Sequence, residues 1–439
     1  MSSEHQSVPR DAAQQTVPGD VSGTAVPTGT PQGRAVGVGF QTSLALAFFG
    51  TYLALLPLAQ VTLALKIGQI DPEGRAGSLS LVLGVGSFVA LVAQNVFGAL
   101  SDRTTSRFGM RRPWLAAGAV LGAGSLFLLS GASTIPVVLA GWSLIQLTFN
   151  VLLAALNPVL PDQVPRRQLG RVSGLIGLTQ SVAAVGGVFL AKLFLPDLTK
   201  AILIPGIFTL ACVGLLLVVL KDRTRARADV PPFQLSLFLK AFWTDPRKAP
   251  DFALAWWSRL FVFFGNMTLS GYAVFFLQDR FGFDQSTIGD AILRTTLVTT
   301  VCVVLTSLLV GRFSDRIGRR KVFVMISALV LALAHVMAAL SPTFDVYVLA
   351  TAVAGLAQGT YIAVDAALLA EVLPSRADVG KDMGVLHLAN VLPQTLVPVV
   401  APLFLAIGTG GENYTALFIG GAVVGIVGAV LNQFIKSIR

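Results

Sequence analysis

Charge is scarce in this chain. Only 12% of its 439 residues are Asp, Glu, Lys or Arg, against about a quarter in an ordinary soluble protein, so a water-facing globular fold is excluded. Cysteine is nearly absent: Cys212 and Cys302 are the two, both lie in apolar runs, and they support neither a disulfide framework nor a zinc site. The three histidines form no metal-ligand pair. A Gly-Lys-Ser/Thr phosphate loop and a Gly-x-Ser-x-Gly elbow are also missing. No cofactor, no metal and no enzyme activity is therefore expected, and ATP is not the energy source within this chain. Residues 1–36 are rich in Gly, Pro, Ser, Thr and Gln and lack the apolar core of a signal peptide. They read as a disordered tail.

What is abundant is apolar: 54% of the residues are hydrophobic. A membrane-crossing helix needs roughly 20 such residues, and the pattern predicts spans at 37–65, 77–100, 113–131, 135–160, 169–195 and 201–220. After a polar stretch come 253–278, 287–311, 322–340, 345–371, 383–408 and 414–436. The predicted organisation is thus a tail (1–36), a first six-helix half (37–220), a central loop (221–252) and a second half (253–439). Within the central loop, Phe233 to Trp243 reads as either an interfacial or a packed linker helix.

Loop parity tests that map. Lys66, Arg75, Lys192, Lys200 and Arg280 fall on one side, Arg259 and Arg294 inside spans, and the rest of the 32 basic residues on the side shared by both termini. The positive-inside rule makes both termini cytoplasmic. It also accounts for the net charge of +10 without a nucleic-acid partner.

The loop after span 2, GALSDRTTSRFGMRRPW, is echoed after span 8 as VGRFSDRIGRRKVF, with Asp102 and Asp315 213 residues apart. A second echo pairs LPDQVPRRQLGRVSG after span 4 with LAEVLPSRADVGKDMG after span 10, setting Asp162 and Glu371 209 residues apart. Two echoes at nearly one offset indicate a six-plus-six duplication with a site between the halves. Asp102 sits beside Arg103, Arg107, Arg111 and Arg112, and Asp315 beside Arg312, Arg316, Arg319 and Arg320. Charge-assisted bonds there can latch one conformer, with each pair near water contributing about 1 kcal/mol. A topology-only role for the arginines is the alternative.

This Gly, Asp-Arg, Gly, Arg-Arg pattern, present twice, resembles the signature loop of the major facilitator superfamily, over roughly residues 37–436. SDRTTSRFGMRRP with its Thr-Ser-Arg insertion is similar to the loop of the sucrose and glycoside:proton symporter branch. Asn157 stands where plant sucrose carriers usually carry arginine, five residues before the acid that ends span 4. The resemblance implies an all-α membrane protein of twelve helices in two pseudo-symmetric six-helix bundles, a monomer, with spans 1, 4, 7 and 10 lining a central cavity.

Polar residues deep in a span are costly and by default functional. Gln358, Tyr361 and Asp365 share a face of span 10. Asp365 and Arg259 of span 7 each lie about six residues from the inner end, roughly 9 Å deep, so they can pair as a coupling acid and its counter-ion; a static ion pair, or an Arg259 that snorkels to the interface beside Trp256 and Trp257, is the other reading. Further stripes are Gln146, Asn150 and Asn157 on span 4, His387, Asn390 and Gln394 on span 11, and Asn266 with Ser270 on span 7. Amides both donate and accept, which suits a hydroxyl-rich solute, and interhelical bonding is the other reading. Tyr52 and Tyr272 are further aromatic candidates. Arg294 is explained by Asp290 four residues earlier, and His335 reads as a packed or hydrogen-bonded histidine rather than a proton relay.

The expectation is a secondary carrier in the plasma membrane, alternating its access, with Asp365 binding the coupling proton and a sugar or glycoside imported. Its alternatives are proton-driven efflux of a drug or metabolite and a transport-inactive receptor or assembly protein.

Overall fold

A computed structural model describes residues 35–226, 247, 249–317, 320–372, 379–408 and 412–435. Those residues form long helices: α1 (Val38–Ile70), α2 (Arg75–Asp102), α3 (Arg112–Ser130), α4 (Ile135–Gln163), α5 (Arg166–Phe194), α6 (Leu198–Val219), α8 (Ile288–Ile317), α9 (Arg320–Ala339), α10 (Phe344–Val372), α11 (Val379–Leu405) and α12 (Tyr414–Gln433). Eleven spans are long and apolar enough to cross a membrane, and α7 (Pro250–Gly271 with Ala273–Phe281), bent by 47° at Tyr272, makes a twelfth. Apolar residues ring these helices rather than forming one stripe, as a lipid solvent requires. Val218 is 80% exposed, and Phe127 and Leu403 each 71%.

Helix ends obey ordinary capping chemistry. Asp197 accepts from the Lys200 N–H at α6, and Asn413 from the Ala416 N–H at α12. At α3 the cap comes from far along the chain, because Asp222 accepts from the backbone N–H groups of Arg111 and Arg112. Gly109, at φ +108°, makes that approach possible: a Cβ there would meet the Asp222 carboxylate at 2.2 Å.

Helix neighbours repeat with an offset of six. The packed pairs α1–α5, α1–α6, α2–α4, α3–α4 and α3–α6 have counterparts in α7–α11, α7–α12, α8–α10, α9–α10 and α9–α12. The fold is therefore two six-helix bundles of one topology, meeting mainly along α2–α11 and α5–α8.

The cores reveal how the bundles meet. At the end away from Val36 and Ile435, hereafter the far end, one apolar cluster contains residues of both bundles, among them Leu58, Ile67, Trp142, Tyr272, Phe275 and Phe418. At the near end there are two clusters, one of first-bundle residues around Leu44, Leu156 and Leu216 and one of second-bundle residues around Phe252, Val364 and Leu386. A shared core at one end and separate cores at the other describe bundles closed on the far side and parted on the near side.

Polar links across the bundles gather at the same closed end. Arg75 pairs with Asp279, approaches Glu412 at 3.9 Å and lies 4.9 Å from the centre of the Phe275 ring. Lys192 pairs with Asp290, Gln69 bonds Gln285, and the Ser80 and Tyr272 hydroxyls are 2.6 Å apart.

Candidate functional site

Two irregular stretches of helix border a cavity between the bundles. In α1, Pro57 contributes no N–H, and the ladder passes directly into a π-helical turn, Leu58–Thr62, in which the Leu63 N–H reaches the Leu58 carbonyl. π turns recur at functional sites. In α7 the break at Tyr272 lies one residue before Ala273 of the wall. The cavity has a volume of about 450 Å³ and is walled by α1, α5, α7, α8 and α10, within the range of small-molecule sites. Its polar lining includes Gln60, Gln180, Asn266, Gln358 and the threonine ladder Thr295, Thr296, Thr299 and Thr300 of α8. Among the described residues, none of the side chains in the wall is charged.

A buried ion pair lies toward the near end. Arg259 Nη1 is 2.7 Å from Asp365 Oδ2, with the two side chains 11% and 13% exposed. That nitrogen makes no aligned hydrogen bond, so the contact is chiefly coulombic. Arg259 Nε donates to Asn390 Oδ1, which positions the guanidinium from α11. The Tyr361 hydroxyl lies beside Asp365, while its ring meets Phe263 edge-on at 5.6 Å. Asn266 follows Arg259 by seven residues and Gln358 precedes Asp365 by seven, so the pair sits about two turns, roughly 10 Å, from the cavity amides. A chamber of about 20 Å³, bordered by Asn266, Gln358 and Tyr361, occupies the interval.

The charge cluster at the near end of the first half centres on one side chain. Arg111 is buried and reaches Asp102 at 2.6 Å, Asp162 at 3.1 Å and Ser101 Oγ at 2.8 Å. Arg112 donates instead to the Leu217 carbonyl, and Arg107 stacks 4.8 Å over Phe108. Arg225, in the segment after α6, donates to the Asp102 carbonyl. Arg103 and Arg320 have partners of their own, and Arg316 is exposed. Arg319 and the side chains of Asp315, Glu371 and His387 lie outside the described residues, as do residues 1–34 and the stretch from Phe233 to Trp243.

Of the other residues singled out by spacing, Asn266, Ser270 and Gln358 line the cavity and Tyr361 the small chamber. Gln146 and Asn150 are buried, with Asn150 Nδ2 donating to the Gln146 carbonyl, and neither belongs to the cavity wall. Asn157 is exposed where α4 is interrupted before Pro158, and Gln394 is exposed on α11. Arg259 turns inward to Asp365 rather than snorkelling beside Trp256, whose indole N–H donates to the Val385 carbonyl.

One pairing inferred from spacing is corrected. Asp290 pairs with Lys192 of the other bundle, and Arg294 pairs with Asp345 at 2.9 Å. The i, i+4 rule yields to Lys192, brought up by bundle closure, and to Asp345 on the neighbouring α10. His335 is fully buried, its Nδ1 2.8 Å from the Leu331 carbonyl and its Nε2 2.9 Å from the Gly265 carbonyl and 3.1 Å from Thr268 Oγ1. Gln60, Gln180 and the α8 threonines were invisible to stripe reading, because Gln60 lies on a π turn and threonine is common in apolar spans.

Two related bundles of membrane-length helices around a central cavity closed at one end have the architecture of a membrane transporter. The family model of the Major Facilitator Superfamily matches residues 38–298 and 291–437, and the chain belongs to that superfamily. A general alpha-glucoside permease of Schizosaccharomyces pombe (strain 972 / ATCC 24843) is 30% identical over 130 residues, covering 26% of this chain and 24% of the permease. The chain thus matches about a quarter of that relative's length. Among solved structures, the nucleoside transporter NupG has a TM-score of 0.69 at 16% identity, covering 91% of this chain and all of that one. A bacterial homolog of the human lysosomal transporter Spinster, inward-facing and occupied, also has a TM-score of 0.69, at 13% identity, covering 91% of this chain and 96% of that one.

Proposed function

We propose that this protein imports an uncharged sugar or glycoside by proton symport, the two halves (37–220 and 253–439) rocking about the central cavity while Asp365 binds and releases the coupling proton. The observation that carries the reading is the buried Arg259–Asp365 pair, two helical turns from an uncharged cavity on the same two helices. Parting the pair frees the Asp365 carboxylate from its Arg259 partner to take up a proton, the event that a proton-coupled carrier needs. A carrier in which solute occupancy and the opening of this pair are linked moves one proton with its solute.

The excess of basic residues on the side of both termini supports a cytoplasmic placement of that side, which makes the described conformer inward-facing. The plasma membrane as location and a monomer as working unit belong to the same reading. The match to an alpha-glucoside permease favours a glycoside over other uncharged solutes.

The test uses purified protein in liposomes with a pH-sensitive dye inside, challenged with mono- and disaccharides and glycosides. Solute-evoked acidification that vanishes in Asp365→Asn is the expected result. Acidification surviving in the variant removes Asp365 from the coupling role, and silence toward every sugar in a folded protein overturns the glycoside reading.

A further inference from the structure

Four side-chain amides face the central cavity, two from each half: Gln60 on α1 and Gln180 on α5, Asn266 on α7 and Gln358 on α10. Among the described residues none of the four has a hydrogen-bond partner, whereas several hydroxyls in the same wall are satisfied internally. Thr295 donates to the Ala291 carbonyl at 3.1 Å, Thr299 to the Thr351 carbonyl at 3.3 Å, and Thr351 to the Val348 carbonyl at 2.8 Å. An amide turned into a membrane cavity without a protein partner keeps two donors and an acceptor for whatever fills the space.

The placement of the first-half amides follows from a rigid contact. Pro57 and the π turn after it set the position of Gln60 on α1. On α5, Gly187 lies so close that a Cβ would come within 2.8 Å of the Pro57 ring and 3.1 Å of the Leu53 carbonyl. Any larger residue there would push α5 from α1. Gln180 precedes Gly187 by seven residues, two turns along the same face, so the close contact fixes the spacing between the two glutamines. Gln60 and Gln180 move as one unit with their bundle, and Asn266 and Gln358 with the other.

We infer that Gln60 and Gln180 are the solute-binding residues of the first half, and that with Asn266 and Gln358 opposite they hold an uncharged, hydroxyl-rich solute by its hydroxyls from both halves at once. The absence of charged side chains from the described wall sets the selectivity. A carboxylate or ammonium on the solute would lose its hydration with no counter-charge in the wall. The inference rests on the carrier reading above but not on its proton coupling, because neither glutamine touches the Arg259–Asp365 pair.

Binding is measured by calorimetry on protein in lipid nanodiscs, with maltose, sucrose and methyl α-glucoside as neutral probes and glucuronate and glucosamine as charged ones. The expected result is binding of a neutral probe at least 10-fold tighter than of either charged one. Gln60→Leu and Gln180→Leu should each raise Kd by about 10-fold or more, and Gln60→Met should do the same with its packing volume kept. Gln60→Asn, which retains the amide on a shorter stem, should lose less.

Wild-type Kd in folded Gln60→Met and Gln180→Leu overturns the assignment, and equal binding of charged and neutral probes overturns the selectivity argument. Sugar uptake that persists with unchanged Kd in the glutamine variants refutes this inference alone. Wild-type protein that neither binds nor carries any of the probes refutes it together with the glycoside reading.

Discussion

Among the described residues, Arg75 makes more contacts across the bundles at the far end than any other charged side chain. Its guanidinium pairs with Asp279, approaches Glu412, and stacks on Phe275. Arg75 is 22% exposed and its acidic partners 37% and 25%, so each ion pair is screened and contributes about 0.5 to 1 kcal/mol. The ring contact adds about 0.5 to 1 kcal/mol. Arg75→Ala should therefore shift the equilibrium between far-closed and far-open conformers by about 2 kcal/mol, roughly 30-fold. Asp279 and Glu412, both contacted by Tyr414, would then repel each other without a cation between them. Arg75→Lys should restore part of the closure, since ammonium keeps the charge but not the fork or the stacking.

The assay is a spin-label distance between Glu73→Cys and Thr343→Cys, on far-end loops of the two halves, with Cys212 and Cys302 replaced by serine. A population at longer distance should grow in Arg75→Ala and grow further at high salt, where the Lys192–Asp290 pair is screened as well. An unchanged distance distribution in folded Arg75→Ala would show that the shared apolar core alone holds the far end shut.

Two further outcomes follow from local geometry. Arg111→Ala leaves Asp102 and Asp162 facing each other, and with those acids 59% and 41% exposed the loss is about 1 to 2 kcal/mol after allowance for screening. A lower melting temperature in detergent is the expected reading, and an unchanged one refutes the hub role. Asp284 holds the turn before α8 through the Ser286 and Thr287 hydroxyls and N–H groups, which lower its pKa to about 2, the Ser286 hydroxyl first among them. Because the folded pKa is depressed, the contribution of this turn is constant above about pH 4 and fades as pH falls toward 2. Hydrogen exchange at residues 282–288, corrected for intrinsic rate, should be flat from pH 8 to 5, whereas in Asp284→Ala it should be fast throughout. Protection in the wild type that declines between pH 7 and 5 would contradict this account.

The spans were legible because lipid imposes a simple rule: every stretch long enough to cross must be apolar and helical. The duplication was legible from its echoed loops, and the packing of α1–α6 repeated in α7–α12 is what those loops record. The meeting of Arg259 with Asp365 was legible too, since two costly residues at equal depth have few partners open to them. What stripe reading missed has a common cause. Gln60 depends on a π turn and Gln180 on a glycine contact between helices, features with no periodic signature. Arg294 was misassigned because Asp290, its helical neighbour, faces the other bundle and is taken by Lys192. Likewise Gln146 and Asn150 share a face, but that face is packed inside the first bundle.

The asymmetry between the halves bears on how one fold carries both binding and coupling. The signature loops and helix contacts occur twice, yet the buried ion pair belongs to the second half, and the position of Arg259 is fixed by Asn390 of α11 as well as by Asp365 of α10. The amides that face the cavity, by contrast, come equally from both halves. In the proposed binding mode, a solute gripped by Gln60 and Gln180 on one side and by Asn266 and Gln358 on the other couples to the relative position of the bundles. Asn266 and Gln358 also sit on the two helices that carry the ion pair, two turns away. Any displacement of α7 against α10 that improves the grip on the solute changes the separation of Arg259 from Asp365. On the proposed reading, solute binding and proton binding are linked through two helices, without direct contact between solute and acid.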